Sequence, residues 1–475
     1  MNFMLFSLDT LRADRLGCYG YGRVTSPHLD RIAAEGALCR SHFSPHIPTY
    51  PGHTTMLTGR DVYAHQITGQ SGAYELSTDI PTLAEMLAAN GYFTAAADNL
   101  GRWFRRGFEV YEGYEWDSSE PREWRKGEAV TSAALNVINR AAAQNKPFFA
   151  FVHYWDPHTP YLPPRPFDRM FYEADERAPG NASMDAVWDC GAFKWYFREW
   201  MPGVTDIEFP KAQYDAEVAY MDTCLAHVLA RIEELGLAQD TMLIFTSDHG
   251  EELDEHGCWF DHHGLYDTNT RIPLIAKLRG VIPAGTQVGG LTQMTDIVPT
   301  VLDYAGLLDA YAPFGGCSLR RLFEAGGETA SAGTCDAVHM TENTWMKKRA
   351  LRTAEWKLIR ALEPDLHGFP PVELYRVADD PLEARNLVEQ FPEVVGELTA
   401  IMEAHVAFRT AETGLPDPIT LQPVPLKRVG RIVADAAPTA PGGPGAPVAV
   451  GVGQGDEKLP EGDFVGYVRD EGEHV

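Results

Sequence analysis

The segment TYPGHTTMLTGR, residues 49–60, carries a threonine hydroxyl to the start of a predicted helix. Pro51 lies just inside that helix, where the missing backbone N–H donor costs nothing. Thr49 is therefore expected beside unpaired N–H groups and the positive end of the helix dipole, which stabilise an anion or an ionised oxygen. A threonine before a helix is most often an N-cap, so Thr49 is a candidate nucleophile only if other reactive groups join it.

Acidic residues follow two apolar runs of strand length. NFMLFSL is followed by Asp9, and TMLIFTS is followed by Asp248 and His249. Because open α/β sheets bind ligands at the carboxyl ends of their strands, these side chains are expected to meet. Each has an ordinary explanation alone, as a turn aspartate or a buried histidine. Together with the Thr49 hydroxyl they form half a coordination sphere for one divalent cation of the Zn, Mn, Mg or Ca type.

Several of the sixteen histidines lie near these motifs. His53 follows the threonine by four residues, which places it on the same helix face. His158, in DPHTPYLPP, and His262, in FDHHGLYD, lie in loops that follow a strand or flank the predicted metal site. His256 and His263 are interpreted as surface or supporting positions.

Composition limits the partners and the compartment. The 475 residues are 44% hydrophobic and carry a net charge of −27, which argues against a nucleic acid or an anionic membrane as partner. The N-terminus resembles a core strand more than a signal peptide. Seven widely spaced cysteines without a CxxC motif fit reduced, mostly buried thiols. We expect a cytoplasmic protein that binds a small anionic ester, with a possible homo-oligomer.

Predicted strands and helices alternate through residues 1–336, which favours an α/β fold with a doubly wound, mostly parallel sheet. Residues 165–210 interrupt this rhythm with many aromatic side chains, and we interpret them as an insertion that either packs on the domain or forms a lid. Short strands and one helix in 337–435 predict a smaller C-terminal α+β unit. Residues 436–475 are rich in Ala, Pro and Gly and then acidic, which indicates a flexible tail.

Nearly the whole chain up to about residue 425 resembles the sulfatase branch of the alkaline phosphatase superfamily. The resemblance is carried by LDTLRADRLGCYG, PTYPGHTTMLTGR, the H-x-P-x-x-P motif HTPYLP, SDHGE with HGLYDTNTRIPLI, and RALRTAEWKLI followed by ELYRVADDPLEARNL. It implies an alkaline-phosphatase-like α/β fold and a metal-dependent ester hydrolase. Asp9, Asp248 and His249 fall on metal-ligand positions, and Thr49 falls on the nucleophile position.

The resemblance also assigns residues around the substrate. His158 falls on a position that contacts the transferred group, and we expect it to protonate the leaving oxygen. His262 falls where the family usually has lysine. Gln70, in TGQSG, falls where phosphonate monoester hydrolases have a side-chain amide. Arg102, in NLGRWF, resembles the family's G-K-W motif, although a surface arginine explains it equally well.

Two departures from the family bear on the reaction. Sulfatases convert Cys or Ser in C/S-x-P-x-R to formylglycine, whereas this chain has Thr49 there and His53 in place of the arginine. Formylglycine hydrate expels sulfate by reverting to an aldehyde, but a threonine ester must be hydrolysed by water. We therefore favour a phosphodiester or phosphonate monoester as substrate. His53, His262 and the helix start would stabilise charge on the transferred group.

Two alternatives stay open, a sulfuric ester hydrolase without formylglycine and an inactive metal-binding homologue. The metal count is expected to be one. Two-zinc relatives have an aspartate followed four residues later by histidine on the helix before SDHG, whereas here Asp222 is followed by Ala226.

Overall fold

The structure is a computed structural model that describes residues 1–71, 73–117, 124–190, 194–329 and 334–425. The predicted tail, 436–475, lies outside the described residues. None of the described helices is long and apolar enough to cross a lipid bilayer.

Strands and helices alternate along the first two thirds of the chain, as the sequence predicts. The strands are β1 (Asn2–Leu8), β2 (Ala37–Phe43), β3 (His46–Ile47), β4 (Phe93–Ala97), β5 (Val110–Glu112), β6 (Phe148–Tyr154), β7 (Thr241–Thr246), β8 (Arg271–Ile272), β9 (Leu274–Lys277), β10 (Thr286–Gln293), β11 (Glu328–Thr329), β12 (Ala337–Asn343), β13 (Lys347–Thr353), β14 (Lys357–Ala361) and β15 (Val372–Tyr375). The helices are α1 (Pro27–Ala34), α2 (Thr49–Thr58), α3 (Val62–His65), α4 (Leu83–Ala89), α5 (Lys126–Ala142), α6 (Asp185–Asp189), α7 (Lys194–Trp200), α8 (Glu208–Glu234), α9 (Asp267–Thr270), α10 (Ile297–Tyr304), α11 (Leu308–Tyr311), α12 (Arg320–Glu324), α13 (Pro392–Thr413) and α14 (Pro418–Leu421).

The main sheet has the order β11-β10-β2-β9-β7-β1-β6-β4-β5, with β8 also paired to β2. β1 runs parallel to both β7 and β6, and β6 runs parallel to β4. Phe3 and Leu5 contribute to the core on one face of the sheet, while Met4 and Phe6 contribute to the core on the other. Burial on both faces explains the continuous apolar run of β1. The predicted doubly wound, mostly parallel α/β fold is confirmed.

A second sheet contains the C-terminal strands in the order β15-β14-β13-β12-β3. Its strands pair antiparallel, except that β3 of the N-terminal part runs parallel to β12. Pro48 alone separates β3 from the helix that begins at Thr49. The second sheet is therefore joined directly to the segment that carries the proposed nucleophile. The domain boundaries at 336/337 and 435/436 remain predictions.

The aromatic-rich segment 165–210 packs against the main domain. The rings of Phe197 and Trp200 lie 5.9 and 6.4 Å from the ring of Phe260, and Trp200 also meets Tyr161 edge-on at 5.3 Å. Phe260 belongs to residues 247–266, the connection from β7 to α9, which we call the 247–266 loop. The segment thus supports the loop that carries His262. Whether it also acts as a lid remains a prediction.

Gly52 allows α2 to lie against the turn that follows β7. A Cβ atom built on Gly52 would lie 2.9 Å from the carbonyl oxygen of Asp248 and 3.3 Å from its Cβ. Gly396, in contrast, lies exposed on α13 with no atom within 4 Å of such a Cβ.

Gly52→Ala is expected to lower the free energy of unfolding by about 1–3 kcal/mol, because the added methyl group forces α2 away from a rigid backbone. The matched change Gly396→Ala is expected to raise it by about 0.5–1 kcal/mol, since an open helical glycine only adds backbone entropy to the unfolded chain. Urea unfolding of the two variants measures both effects. Equal shifts in the two variants would contradict the close approach at Gly52.

Candidate active site

The hydroxyl of Thr49 lies at the first residue of α2 and faces the residues that follow β7. Pro48 occupies the N-cap position, and the helix has no side-chain cap. Thr49 Oγ1 lies 3.3 Å from His249 Nε2. Only 6% of Thr49 is exposed. The hydroxyl is therefore directed to the predicted ligand group and does not act as a helix cap.

Asp9, Asp248 and His249 meet as the parallel strands predict. β1 and β7 are neighbours, and all three side chains are fully buried. Their potential ligand atoms lie within 4.8 Å of one another. His249 Nε2 lies 3.2 Å from Asp248 Oδ2 and 3.9 Å from Asp9 Oδ1. Two carboxylate oxygens and an imidazole nitrogen are thus directed at one point.

The residues fit a divalent cation. Among the described residues, Asp9 Oδ1 and Asp248 Oδ2 have no hydrogen-bond partner. The other oxygen of each carboxylate is hydrogen-bonded. Asp9 Oδ2 lies 3.1 Å from His153 Nε2, and Asp248 Oδ1 accepts from the Thr10 N–H at 3.3 Å. A buried carboxylate oxygen without a partner is costly, and a hard cation supplies the missing interaction. Asp9, Asp248, His249 and Thr49 are thus suited to hold such an ion.

The electrostatics of this group agree with its need for positive charge. Burial lowers the pKa of His249, but Asp248 and then Asp9 outweigh it and raise that pKa to about 9. The imidazole therefore carries a proton that binding of a cation would displace.

Two supporting residues, His153 and Asp98, were not predicted from the sequence. His153 lies in β6 opposite Ser7 of β1, with its Nε2 3.1 Å from Asp9 Oδ2 and its Nδ1 2.8 Å from Asp98 Oδ1. Burial lowers the pKa of His153, but hydrogen bonds to the two aspartates raise it to about 10. The ring holds Asp9 with one oxygen directed at the ligand group. A lone polar residue within the apolar run FFAFVHY was the available signal.

His53 lies behind the ligand group. Its Nδ1 lies 3.0 Å from the carbonyl oxygen of Thr49 and 3.4 Å from Asp248 Oδ2, and its Nε2 lies 2.9 Å from Ser7 Oγ. The side chain is fully buried, and burial lowers its pKa. His53 therefore contacts the backbone of Thr49 and a predicted ligand, and its direct contact with a substrate stays a prediction.

His158 and His262 come together beside His249. The His262 ring stacks on His249 at 4.6 Å and lies 5.0 Å from the ring of His158. His158 Nδ1 donates to the Thr159 carbonyl at 2.6 Å, which fixes the orientation of its ring. Burial lowers the pKa of both His158 and His262 to about 4. The two histidines are therefore neutral near pH 7 in the free protein.

Glu251 is a further group that the sequence analysis missed. It is fully buried, and its Oε1 lies 3.8 Å from His262 Nδ1. Burial, followed by the charge of Asp261, raises the pKa of Glu251 well above its usual value. A carboxyl group that holds its proton more tightly than usual therefore lies beside His262. The signal was the acidic pair that follows SDHG.

Gln70 lies close to Thr49, and Arg102 donates hydrogen bonds to the neighbouring loop. Gln70 Oε1 accepts a hydrogen bond from the Tyr50 N–H at 3.2 Å, one residue after the threonine. Arg102 donates to Glu75 and to the carbonyl oxygens of Ser71 and Tyr74. The guanidinium therefore braces the loop next to Gln70, and its direct substrate contact stays a prediction.

Two other predicted positions have structural partners. Asp222 accepts hydrogen bonds from the N–H groups of His28 and Leu29, each at 2.9 Å, and so caps the start of α1. His256 stacks on Tyr266 at 3.6 Å and contacts Glu252 at 3.1 Å. Neither joins the ligand group around Asp9.

Comparisons with known proteins agree with this fold. A sulfatase family model matches residues 1–307, and a model of the C-terminal part of N-sulphoglucosamine sulphohydrolase matches residues 254–407. The chain is 24% identical over 472 residues to an N-acetylglucosamine-6-O-sulfatase of Bacteroides thetaiotaomicron, across 81% of this chain and 82% of that protein.

Other relatives are named for different chemistry. A multifunctional alkaline phosphatase superfamily protein of Trinickia caryophylli is 26% identical, across 64% of this chain and 74% of its own length. The crystal structure of a phosphonate monoester hydrolase of Agrobacterium radiobacter has the same fold, with a TM-score of 0.70 and 22% identity across 86% of this chain and 96% of its own. With the family model matched over 307 residues and the fold shared along most of its length, the chain belongs to the sulfatase family.

Proposed function

We propose that this member of the sulfatase superfamily of hydrolases cleaves a phosphodiester or a phosphonate monoester and that Thr49 is its nucleophile. The observation that supports the proposal is the Thr49 hydroxyl, 3.3 Å from His249 in a position that sulfatases fill with a formylglycine precursor. A hydroxyl at a helix start, beside a site suited to a cation, is placed for attack on an anionic ester.

The proposed reaction has two displacements. The Thr49 oxygen bonds to phosphorus as the bond to the leaving oxygen breaks. Water then attacks phosphorus, and the threonine oxygen leaves. A divalent cation held by Asp9, Asp248 and His249 would lower the pKa of the hydroxyl and neutralise charge on the substrate. His53 fixes the backbone carbonyl of Thr49 and so orients the nucleophile.

His158 is the proposed general acid for the first displacement. Its Nδ1 proton is held by the Thr159 carbonyl, so Nε2 is the nitrogen that would deliver a proton to the leaving oxygen. Burial lowers the pKa of His158 to about 4. The negative charge of a bound phosphorus ester opposes that shift, because a nearby anion favours imidazolium. Protonation of His158 is therefore coupled to substrate binding.

A sulfuric ester is the second candidate substrate. Its support is the family itself, since the relative from Bacteroides thetaiotaomicron is named as an N-acetylglucosamine-6-O-sulfatase. The chemistry of residue 49 opposes it, because a sulfated threonine lacks the aldehyde route by which formylglycine releases sulfate. Matched p-nitrophenyl sulfate, phosphate, bis-phosphate and phenylphosphonate substrates, tested with several divalent metals, separate the two candidates.

Exhaustive treatment with EDTA is expected to abolish hydrolysis, with recovery on addition of Mn²⁺, Zn²⁺, Ca²⁺ or Mg²⁺, because the buried carboxylates need a cation. Activity on p-nitrophenyl phenylphosphonate is the readout. Asp9→Asn serves as the control and should stay inactive with or without added metal. Full activity of the wild type after chelation would contradict the metal site.

Thr49→Ala is expected to lower kcat by at least about 10³-fold, because the nucleophile is lost while three ligands remain. Thr49→Ser should keep kcat within about tenfold of the wild type, since it retains the hydroxyl. If hydrolysis of the threonine ester limits turnover, the intact mass of the wild type after rapid quench should show a phosphorylated or phosphonylated adduct. A near-normal kcat in Thr49→Ala would show that Thr49 is not the nucleophile.

His158→Ala is expected to reduce hydrolysis of esters with poor leaving groups about 10²–10⁴-fold, but to affect p-nitrophenyl esters much less, because nitrophenolate leaves without a proton. Comparing kcat/KM across a series of phenyl and alkyl phosphonate esters measures the dependence on leaving-group pKa. His262→Ala is the matched control in the same pocket, and its kcat/KM should depend on leaving-group pKa as that of the wild type does. An equal loss of kcat/KM for all esters would show that His158 is not the general acid.

A further inference from the structure

A second group of potential metal ligands lies where the 247–266 loop meets the C-terminal sheet. The thiol of Cys258, the imidazole of His263 and the imidazole of His367 each have a potential ligand atom within 4.8 Å of the other two. Cys258 and His263 are buried, whereas His367 is half-buried in the connection between β14 and β15. This group differs from that of Asp9, Asp248 and His249 in having sulfur and two nitrogens.

The geometry of the two histidines suits a shared ion. Their Nε2 atoms lie 2.7 Å apart, and their rings are nearly parallel with centroids 4.9 Å apart. Ligand atoms around a tetrahedral zinc are separated by about 3.3–3.8 Å, given bond lengths of about 2.0–2.3 Å. Binding would therefore replace a hydrogen bond between the rings and widen their separation by roughly 1 Å or less.

Partners outside the ligand set favour the same arrangement. His263 Nδ1 lies 3.2 Å from Asp261 Oδ1, which directs Nε2 to the group as in carboxylate–histidine–metal triads. Glu342 is fully buried, and its Oε2 accepts a hydrogen bond from the Gly264 N–H at 2.8 Å. Among the described residues, its Oε1 has no hydrogen-bond partner. Glu342 thus places a buried carboxylate next to the backbone that follows His263, and its negative charge favours a cation in the group.

We propose that Cys258, His263 and His367 bind a zinc ion that joins the 247–266 loop to the C-terminal sheet. Thiolate and imidazole are the ligands that Zn²⁺ prefers over Mg²⁺ or Ca²⁺. The ligands come from the 247–266 loop and from the connection between β14 and β15, so the ion would link these two parts of the chain. The half-buried His367 provides the side from which an ion enters.

The ion would also stabilise the active site. Asp261 Oδ1 lies 3.2 Å from His263 Nδ1 and 3.8 Å from His262 Nδ1. A ligand of the proposed ion and a histidine of the active site thus share one carboxylate. Fixing His263 fixes Asp261, and with it the orientation of His262. Zinc binding by this group is independent of which ester the enzyme cleaves.

Metal content tests the proposal separately from catalysis. The Asp9→Asn/Asp248→Asn protein, which lacks the active-site ligands, is stripped of metal and reconstituted with Zn²⁺. We expect about one equivalent of zinc per chain by mass spectrometry, and a higher melting temperature than that of the stripped protein. Adding Cys258→Ser or His367→Gln should reduce bound zinc at least fivefold and remove this stabilisation. The His367 change covers the case in which Cys258→Ser fails to fold.

Cobalt substitution identifies the sulfur ligand. Co²⁺ in the Asp9→Asn/Asp248→Asn protein should produce a thiolate-to-cobalt charge-transfer band that disappears in Cys258→Ser. Cys39→Ser, which removes another fully buried thiol, should keep the band. The proposal is overturned if this protein binds no zinc, if no charge-transfer band forms, or if the band survives Cys258→Ser.

Discussion

Asp9 and Asp248 are two fully buried carboxylates that follow neighbouring strands, and one oxygen of each is directed at the same point. The surrounding structure has to compensate this concentration of negative charge. Burial of a charged group without compensation is expensive. The compensation comes from His249 beside both oxygens, from His153 on the far side of Asp9, and from the start of α2. The same arrangement that neutralises the carboxylates therefore also prepares the Thr49 hydroxyl.

Elementary strand geometry was enough to predict the centre of this site. An apolar run buried on both faces, followed by a polar residue, placed Asp9, Asp248 and His249 at one edge of a parallel sheet. The start of α2 was predictable from Pro51, which lies just inside the helix. These features could be predicted because each depends only on residues that are neighbours in sequence.

Residues that depend on strand order or on side-chain direction escaped prediction. His153 and Asp98 support Asp9 only because β6 and β4 follow β1 in the sheet, and sequence periodicity does not state that order. The hydrogen bonds of Arg102 to Glu75 and to nearby carbonyl oxygens could not be predicted from composition, and its substrate contact stays a prediction. Likewise, His367 reaches Cys258 only through the pairing of β13, β14 and β15.

The short strand β3 gives the C-terminal sheet a mechanical role in the enzyme. Ile47 pairs with Glu342 of β12, and Thr49 follows only two residues later. Glu342 also accepts the Gly264 N–H, so the same strand of the second sheet is attached to both sides of the catalytic pocket. A shift of this sheet would therefore alter the distance between Thr49 and the 247–266 loop. The two parts of the chain therefore hold one pocket together, although most of their strands belong to separate sheets.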